Sequence, residues 1–262
     1  MSPPALELQG VAKRFGGVAA LAGVSFAVRE GSITGLVGPN GAGKSTAFAA
    51  TAGFLRPDAG RVLLRGDDVT GLSPWALHAR GLARTFQLPR LFGGMSVLEN
   101  LMVAEPGQRG ERLPAPWFAR ARLRAEERAL GERARAVLGR LGLAGVAEAP
   151  ATALSGGQKK LVELGRALMS RASVILLDEP AAGVNRTLLR DVAAAILRLN
   201  REDGITFLLI EHDLDLVAEL APLVHCMAEG RVIASGSMAE LRADPAVAEA
   251  YLGMAVEPRD AA

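Results

Sequence analysis

Three short apolar runs of strand length, at residues 33–37, 174–177 and 205–210, are separated by longer segments in which helices are predicted. Because these runs are apolar at consecutive positions and rich in branched side chains, we predict strands that are buried on both faces of a parallel sheet. Residues 60–64 indicate a strand of an antiparallel hairpin instead. Strands that alternate with helices predict an α/β fold.

The first run leads into a glycine-rich segment that fits the phosphate-loop pattern G-x-x-x-x-G-K-[ST]. In such a loop, backbone N–H groups and the positive end of the following helix face phosphate groups. Lys44 is placed to reach the β- and γ-phosphates of ATP, and Ser45 to give Mg²⁺ a hydroxyl oxygen. A glycine-rich turn that binds nothing is the alternative. The predicted nucleotide-binding residues are Gly38, Pro39, Asn40, Gly41, Ala42, Gly43, Lys44, Ser45 and Thr46.

Titratable residues follow the other two runs: Asp178 and Glu179 come after residues 174–177, and His212 lies two positions after residue 210. Carboxylates at the carboxyl ends of parallel strands face a ligand crevice. We predict that Asp178 holds Mg²⁺, that Glu179 is the general base for the attacking water, and that His212 hydrogen-bonds a γ-phosphate oxygen. Without a phosphate loop, a solvated strand end and a polar cap would explain these residues as well.

A second glycine-rich segment, Leu-Ser-Gly-Gly-Gln at residues 154–158, is the most diagnostic motif in the chain. Together with the phosphate loop, Gln87, the acidic pair and His212, it stands in an order that resembles the ATP-binding subunits of ABC transporters. The resemblance spans nearly the whole chain. It implies a P-loop NTPase (ABC ATPase) core with an antiparallel β-subdomain and a helical subdomain.

The resemblance implies roles for several residues whose residue type alone does not indicate a function. Gln87 would touch Mg²⁺ and the lytic water, and would sense the membrane partner. Ser155 and Gly157 would contact the γ-phosphate of an ATP held by an opposing subunit. Phe15 stands where the family keeps an aromatic ring that stacks on adenine; a core phenylalanine in a strand is the alternative. The predicted contacts with the second nucleotide are Ser155, Gly156, Gly157 and Gln158.

Shorter motifs resemble one branch of that family, the ATP-binding subunits of branched-chain amino-acid importers. Importers of urea or short amides and the ATPases of lipopolysaccharide exporters share much of this layout, and both remain alternatives. Asn185 stands where many ABC ATPases have Asp, a substitution common in the branch. The segments that carry the likeness are residues 13–17, 83–87, 90–92, 178–183, 243–245 and 250–253.

One copy of each motif per chain implies a dimer, either a homodimer or a heterodimer with a similar ATPase. The resemblance further implies transmembrane permease subunits and, indirectly, a solute-binding protein as partners. A soluble ABC ATPase acting on nucleic acid or ribosomes is the non-transport alternative, but neither twin cassettes nor long coiled-coil arms occur in the sequence. No nucleic-acid partner is therefore expected. A scaffold that never hydrolyses ATP would predict loss of Lys44, Glu179 or His212, and all three are present.

Length and composition agree with a single domain, because 262 residues, of which 50% are hydrophobic, suffice for a large core. We predict a nucleotide-binding core with its β-subdomain at about 1–87 and 155–235, a helical subdomain at about 88–154 and a helical tail at 236–262. No uninterrupted apolar stretch is long enough to span a bilayer, and Cys226 is the single cysteine. The chain itself is therefore expected to stay out of the bilayer, and the resemblance implies a peripheral protein at the cytoplasmic face of the inner membrane.

The positive charge of the chain is concentrated in one stretch of the sequence. The formal net charge is +2, yet residues 109–140 alone contain nine arginines and four glutamates. This stretch predicts an arginine-rich helix from about residue 119 to residue 141. A solvated helix face is one interpretation, and contact with the membrane subunit or with anionic lipid headgroups is the other.

Overall fold

The computed structural model describes residues 3–85, 90–108 and 120–252, without the side chains of residues 120–123 and 252. These residues form two compact units. The first unit contains the described parts of Met1–Arg84, Ser173–Ala181 and Ile196–Ala262. The second contains those of Thr85–Ala172 and Ala182–Ala195, so it extends along the chain beyond the helical subdomain predicted at about 88–154.

Strands and helices alternate along much of the chain. The strands are β1 (Leu6–Phe15), β2 (Val18–Val28), β3 (Ile33–Val37), β4 (Ala59–Leu64), β5 (Asp67–Asp68), β6 (Leu82–Arg84), β7 (Val174–Asp178), β8 (Thr206–Ile210), β9 (Leu223–Ala228) and β10 (Arg231–Gly236). The helices are α1 (Lys44–Thr51), α2 (Pro74–His78), α3 (Val97–Met102), α4 (Arg120–Arg140), α5 (Gly156–Met169), α6 (Arg186–Asp203), α7 (Leu214–Leu220), α8 (Met238–Ala243) and α9 (Pro245–Leu252).

The larger sheet of the first unit has the strand order β10-β9-β3-β8-β7-β6. Its strands from β9 to β6 pair in parallel, and β10 pairs with β9 in antiparallel orientation. Every residue of β3 and of β8 is buried, as the three apolar runs predicted. Parallel strands covered on both faces require such continuous apolar sequences.

The register of this sheet brings the predicted polar segments to one edge. Asp178 of β7 lies opposite Ile210 of β8, so the residues that follow the two strands leave the sheet side by side. Strand β3 lies on the other side of β8, and its carboxyl end leads into the phosphate loop. Ligands of parallel sheets bind at this carboxyl edge.

The smaller sheet of the first unit is antiparallel, with the order β2-β1-β4-β5. The hairpin strand predicted at residues 60–64 is confirmed as β4. Apolar side chains from both sheets and from α1 share one core, which includes Leu8, Val24, Phe48 and Leu208. The phosphate loop thus begins and ends in elements that are anchored in a common core.

The second unit is helical in its described residues. Helix α3 packs against both α4 and α5, and its Leu101 is fully buried. The arginine-rich helix predicted at about 119–141 is present as α4. Arg133 of α4 pairs with Glu105, and Arg135 pairs with Glu148. Part of the positive charge is therefore balanced inside this unit, and contact of the stretch with a membrane partner stays a prediction.

The described part of the predicted tail consists of two short helices. Helix α8 packs on β9 and β10, and α9 packs on α8 and β10. Among the residues that the structure describes, no helix is both long enough and apolar enough to cross a membrane.

Candidate nucleotide-binding site

The segment between β3 and α1 has a backbone that only glycine permits at two positions. Gly38 and Gly43 have φ angles of 144° and 97°. A Cβ on Gly38 would lie 2.1 Å from the carbonyl oxygen of Met227, and one on Gly43 would lie 2.4 Å from that of Ala20. Neighbouring strands therefore pack closely against the loop. The fold requires both glycines whether or not a ligand is bound.

Lys44 is held against this loop. Its side chain is 6% exposed, and its Nζ donates hydrogen bonds to the carbonyl oxygens of Gly38 at 2.6 Å and Pro39 at 2.9 Å. Burial lowers the pKa of Lys44, and the nearby charge of Glu179 opposes that change. The ammonium group is thus prepositioned on the loop, near the predicted general base.

The amino-terminal end of α1 is open to an anion. Gly43 is the N-cap residue and provides no side-chain hydrogen bond, and the first turn contains no acidic residue. Ser45, in that turn, is exposed. The first N–H groups of a helix lack intrahelical acceptors and carry the positive end of its dipole, so this end suits a phosphate group.

Asp178, the predicted Mg²⁺ ligand, forms an ion pair with Arg84. The Arg84 Nη2 lies 2.6 Å from Oδ2 of Asp178, and the two side chains are 14% and 12% exposed. The guanidinium carbon of Arg84 lies 6.0 Å from the ring centroid of Phe48 and 5.6 Å from that of Phe54. The ion pair therefore holds the Asp178 side chain at the carboxyl end of β7.

Glu179 and His212 meet at the carboxyl edge of the sheet. The Glu179 Oε1 lies 3.1 Å from Nε2 of His212. The backbone N–H of Glu179 donates to the carbonyl oxygen of Ile210 at 3.0 Å. Glu179 has a φ angle of 47°, a left-handed conformation that is uncommon for a residue with a Cβ. The fold therefore holds Glu179 in a backbone conformation that a glutamate rarely adopts by itself.

Ser155 begins α5 in the second unit as its N-cap residue. Its Oγ accepts a hydrogen bond from the Gln158 N–H at 3.3 Å, and Oε1 of Gln158 accepts one from the Ser155 N–H at 3.0 Å. This reciprocal pair is a capping box. A Cβ on Gly157 would lie 2.7 Å from Cβ of Leu188, so close packing also requires a glycine there.

Asn185 caps the next helix of the chain. Its Oδ1 accepts a hydrogen bond from the backbone N–H of Leu188 at 2.9 Å, at the start of α6. Asn and Asp are about equally good at this position. The substitution for the more common Asp therefore keeps the helix cap.

Phe15 is the last residue of β1 and is 52% exposed. The Nζ of Lys13 lies 5.8 Å from the centroid of its ring. The alternative interpretation of Phe15 as a core residue is therefore wrong. Its ring is available for stacking, although its predicted contact with adenine stays a prediction.

Comparison with known proteins gives the family. Residues 21–182 match the family model described as "ABC transporter", which is more than half of the chain. This chain belongs to the ABC transporter family. It is therefore an ATP-binding protein of an ATPase family, and the predicted fold class is confirmed. Residues 231–253 also match a model described as "Branched-chain amino acid ATP-binding cassette transporter".

Individual relatives of this ABC protein cover almost all of its length. The "High-affinity branched-chain amino acid transport ATP-binding protein BraF" of Pseudomonas aeruginosa is 38% identical over 97% of this chain and 100% of the relative. A nucleotide-free ATP-binding cassette from an ABC transporter has a TM-score of 0.82 at 39% identity, covering 96% of this chain and 99% of the other. A cassette described as dimeric, with bound ADP and Pi, has a TM-score of 0.71 at 25% identity over 89% and 98%.

The structure brings some predicted site residues of this ABC protein together. Lys44, Glu179 and His212 belong to the first unit, at the carboxyl edge of its larger sheet. Ser155 to Gln158 belong to the second unit. Gln87 lies outside the described residues, so its contacts with Mg²⁺, water and a membrane partner stay predictions.

Sequence reasoning missed two polar residues beside this site. Arg84 lies in residues 83–87, a segment that the sequence marks only for its family likeness, and the sequence predicts no role for Glu211. The sequence contains a signal for both residues. Each is a charged residue at the end of a buried strand, where charged side chains are rarely found unless they are paired. Glu211 is 3% exposed and accepts hydrogen bonds from three backbone N–H groups.

Proposed function

We propose that this chain is the ATP-hydrolysing subunit of an ABC importer, and that the importer carries branched-chain amino acids. The contact of Glu179 with His212, beside the phosphate loop, carries the proposal of hydrolysis. The solute is supported by the match of residues 231–253 and by the likeness to BraF over nearly the full length. No residue of the described site bears on the solute, because the site is suited to phosphate groups.

The phosphate loop binds the triphosphate of ATP. Its backbone N–H groups and the open end of α1 hold the phosphate oxygens. Lys44, now bonded to two loop carbonyls, donates instead to the β- and γ-phosphates. Its low exposure strengthens this contact, because a charge pair is screened less away from water.

Mg²⁺ fits the oxygen donors that the chain offers beside this loop. Ser45 would supply an exposed hydroxyl group, Asp178 a carboxylate that is held by its ion pair with Arg84, and Gln87 a predicted amide oxygen. When bound, the ion neutralises charge that develops on the phosphate oxygens.

Hydrolysis requires a base and a group that holds the γ-phosphate. Glu179 accepts a proton from the attacking water. At the same time the water oxygen forms a bond to the γ-phosphorus, and the bond between the γ-phosphorus and ADP breaks. That proton then passes to the phosphate product. His212 donates a hydrogen bond to a γ-phosphate oxygen, and its position against Glu179 aligns the two groups.

A second ATPase subunit completes each site. Ser155, Gly156, Gly157 and Gln158 of one subunit contact the γ-phosphate bound to the other, at the amino-terminal end of α5. The dimeric cassette at 25% identity supports the pairing of two subunits. ATP binding closes the dimer and loss of phosphate reopens it, which drives transmembrane permease subunits. A solute-binding protein delivers the solute, and the ATPase works at the cytoplasmic face of the membrane.

The stacking role of Phe15 predicts a loss of nucleotide affinity on truncation. Phe15→Ala is expected to raise Kd for ATP about 5- to 150-fold, because stacking on a base contributes about 1–3 kcal/mol. Phe15→Tyr keeps a ring and is expected to stay within about twofold of the wild type. Isothermal titration with ATP in EDTA measures both. Equal affinities for the alanine and tyrosine variants would contradict the role.

The transport proposal is tested by uptake in cells. Deletion of the gene should abolish uptake of labelled leucine, isoleucine and valine, and the wild-type gene should restore it while Glu179→Gln should not. Loss of urea or amide uptake, with leucine uptake intact, would assign the protein to the alternative importers. Normal uptake of all these solutes with a lipopolysaccharide defect would point to an exporter.

A further inference from the structure

Glu211 is a buried carboxylate that links two loops of the first unit. It follows the last residue of β8 and is 3% exposed. Its Oε1 accepts a hydrogen bond from the Ala181 N–H at 2.5 Å. Its Oε2 accepts bonds from the N–H groups of His212 at 2.9 Å and of Asp213 at 3.3 Å. One side chain thus binds both the loop after β7 and the loop after β8.

These bonds surround the contact between Glu179 and His212. The loop after β7 is fixed at one point by the bond from the Glu179 N–H to the Ile210 carbonyl, and at a second point by Glu211. Between the two points, Glu179 has its left-handed φ of 47°. A backbone conformation of this kind persists only where surrounding bonds determine it.

We propose that Glu211 is a positioning residue that clamps the two loops and thereby sets the placement of Glu179 against His212. The proposal rests on the roles given to Glu179 and His212 under the proposed function. Glu211 is too deeply buried to meet the phosphates itself, since its oxygens are occupied by backbone donors. Burial raises the pKa of Glu211, and the three N–H groups oppose that change by stabilising the carboxylate.

The decisive variant is Glu211→Asp, because aspartate keeps the charge but is one methylene shorter. It can still accept from the adjacent N–H groups of His212 and Asp213, while the bond to Ala181 is lost. We expect kcat for ATP hydrolysis to fall about 10- to 100-fold, with KM for ATP within about twofold of the wild type. A wild-type kcat would overturn the proposal.

Asp213→Asn is the matched control in the same loop. Among the residues that the structure describes, the Asp213 carboxylate accepts local bonds in the helix cap, from the N–H groups of Asp215 and Leu216 at 3.1 Å each. Because Asn caps helices as well as Asp, we expect kcat within about twofold of the wild type. An equal loss of kcat in both variants would mean that any change in this loop impairs turnover, and would overturn the clamp.

A double-mutant comparison separates positioning from a general structural effect. In a His212→Ala background, Glu211→Asp should reduce the residual kcat by a smaller factor than in the wild type, because one of the two aligned groups is already gone. The same factor in both backgrounds would contradict a role through His212.

Hydrogen exchange in the nucleotide-free protein tests the clamp without catalysis. The Ala181 amide should exchange faster in Glu211→Asp than in the wild type or in Asp213→Asn, because it has lost its acceptor. Unchanged exchange would overturn the clamp even if turnover were altered. A wild-type protein that hydrolyses no ATP would instead refute the proposed function, and the exchange result would still decide whether Glu211 holds the two loops.

Discussion

Replacement of Glu179 by Gln is expected to lower kcat for ATP hydrolysis about 10²- to 10⁴-fold and to leave ATP binding intact. The amide has the size of the carboxylate but cannot accept the proton of the attacking water. Phosphate release at saturating Mg²⁺ and ATP measures the loss. Size-exclusion chromatography in ATP should show a dimer for this variant, because a closed dimer that cannot hydrolyse ATP does not reopen.

Glu229→Gln is the matched control for this experiment. Glu229 has the same φ angle of 47° as Glu179, so both variants place Gln in the same unusual backbone conformation. Its side chain is exposed, between β9 and β10. We expect this control to retain wild-type turnover. Similar losses in the two variants would attribute the effect to backbone strain and would remove Glu179 from the role of base.

The strands that carry the site could be predicted from the sequence alone. A strand buried on both faces of a parallel sheet cannot alternate polar and apolar residues, so β3 and β8 are evident as continuous apolar runs. The position of the site follows with little further information, because parallel strands present their carboxyl ends at a common edge. This is why Glu179 and His212 could be placed at the same edge of the sheet although 33 positions separate them.

Contacts that depend on register could not be obtained from the sequence. The ion pair of Arg84 with Asp178 needs β6 beside β7 in a particular register, in which Arg84 lies opposite Leu176. The bond of Glu211 to Ala181 depends on the turn that follows Glu179. Neither a strand pairing nor a turn with a left-handed glutamate is encoded by local periodicity, so both residues were missed.

The exposure of Phe15 illustrates a further limit. A phenylalanine near the end of a strand is as compatible with a core as with a ligand, and only the position of the ring decides between them. Here the ring is 52% exposed, which excludes the core. Residue type alone cannot decide this, because apolar side chains occur both in cores and on protein surfaces.

Removal of the Lys44 charge is expected to remove most of the nucleotide-dependent stabilisation of the protein. ATP at 100 times its Kd adds about 2.7 kcal/mol to the free energy of unfolding of the wild type, which corresponds to a rise in Tm of about 5–10 °C. Lys44→Met should lose most of this rise, because the loop loses the cation that meets the phosphates. Thermal unfolding with and without ATP measures the difference.

The same substitution should affect the ligand-free protein much less. Methionine fills a similar volume, and it removes a buried ammonium group whose pKa burial already lowers. Lys44→Arg provides the converse test, because it keeps the charge but places a larger, planar group where the wild-type side chain is 6% exposed. We expect the arginine variant to bind ATP poorly as well. A full thermal shift in Lys44→Met would show that the loop N–H groups and the end of α1 alone hold the triphosphate.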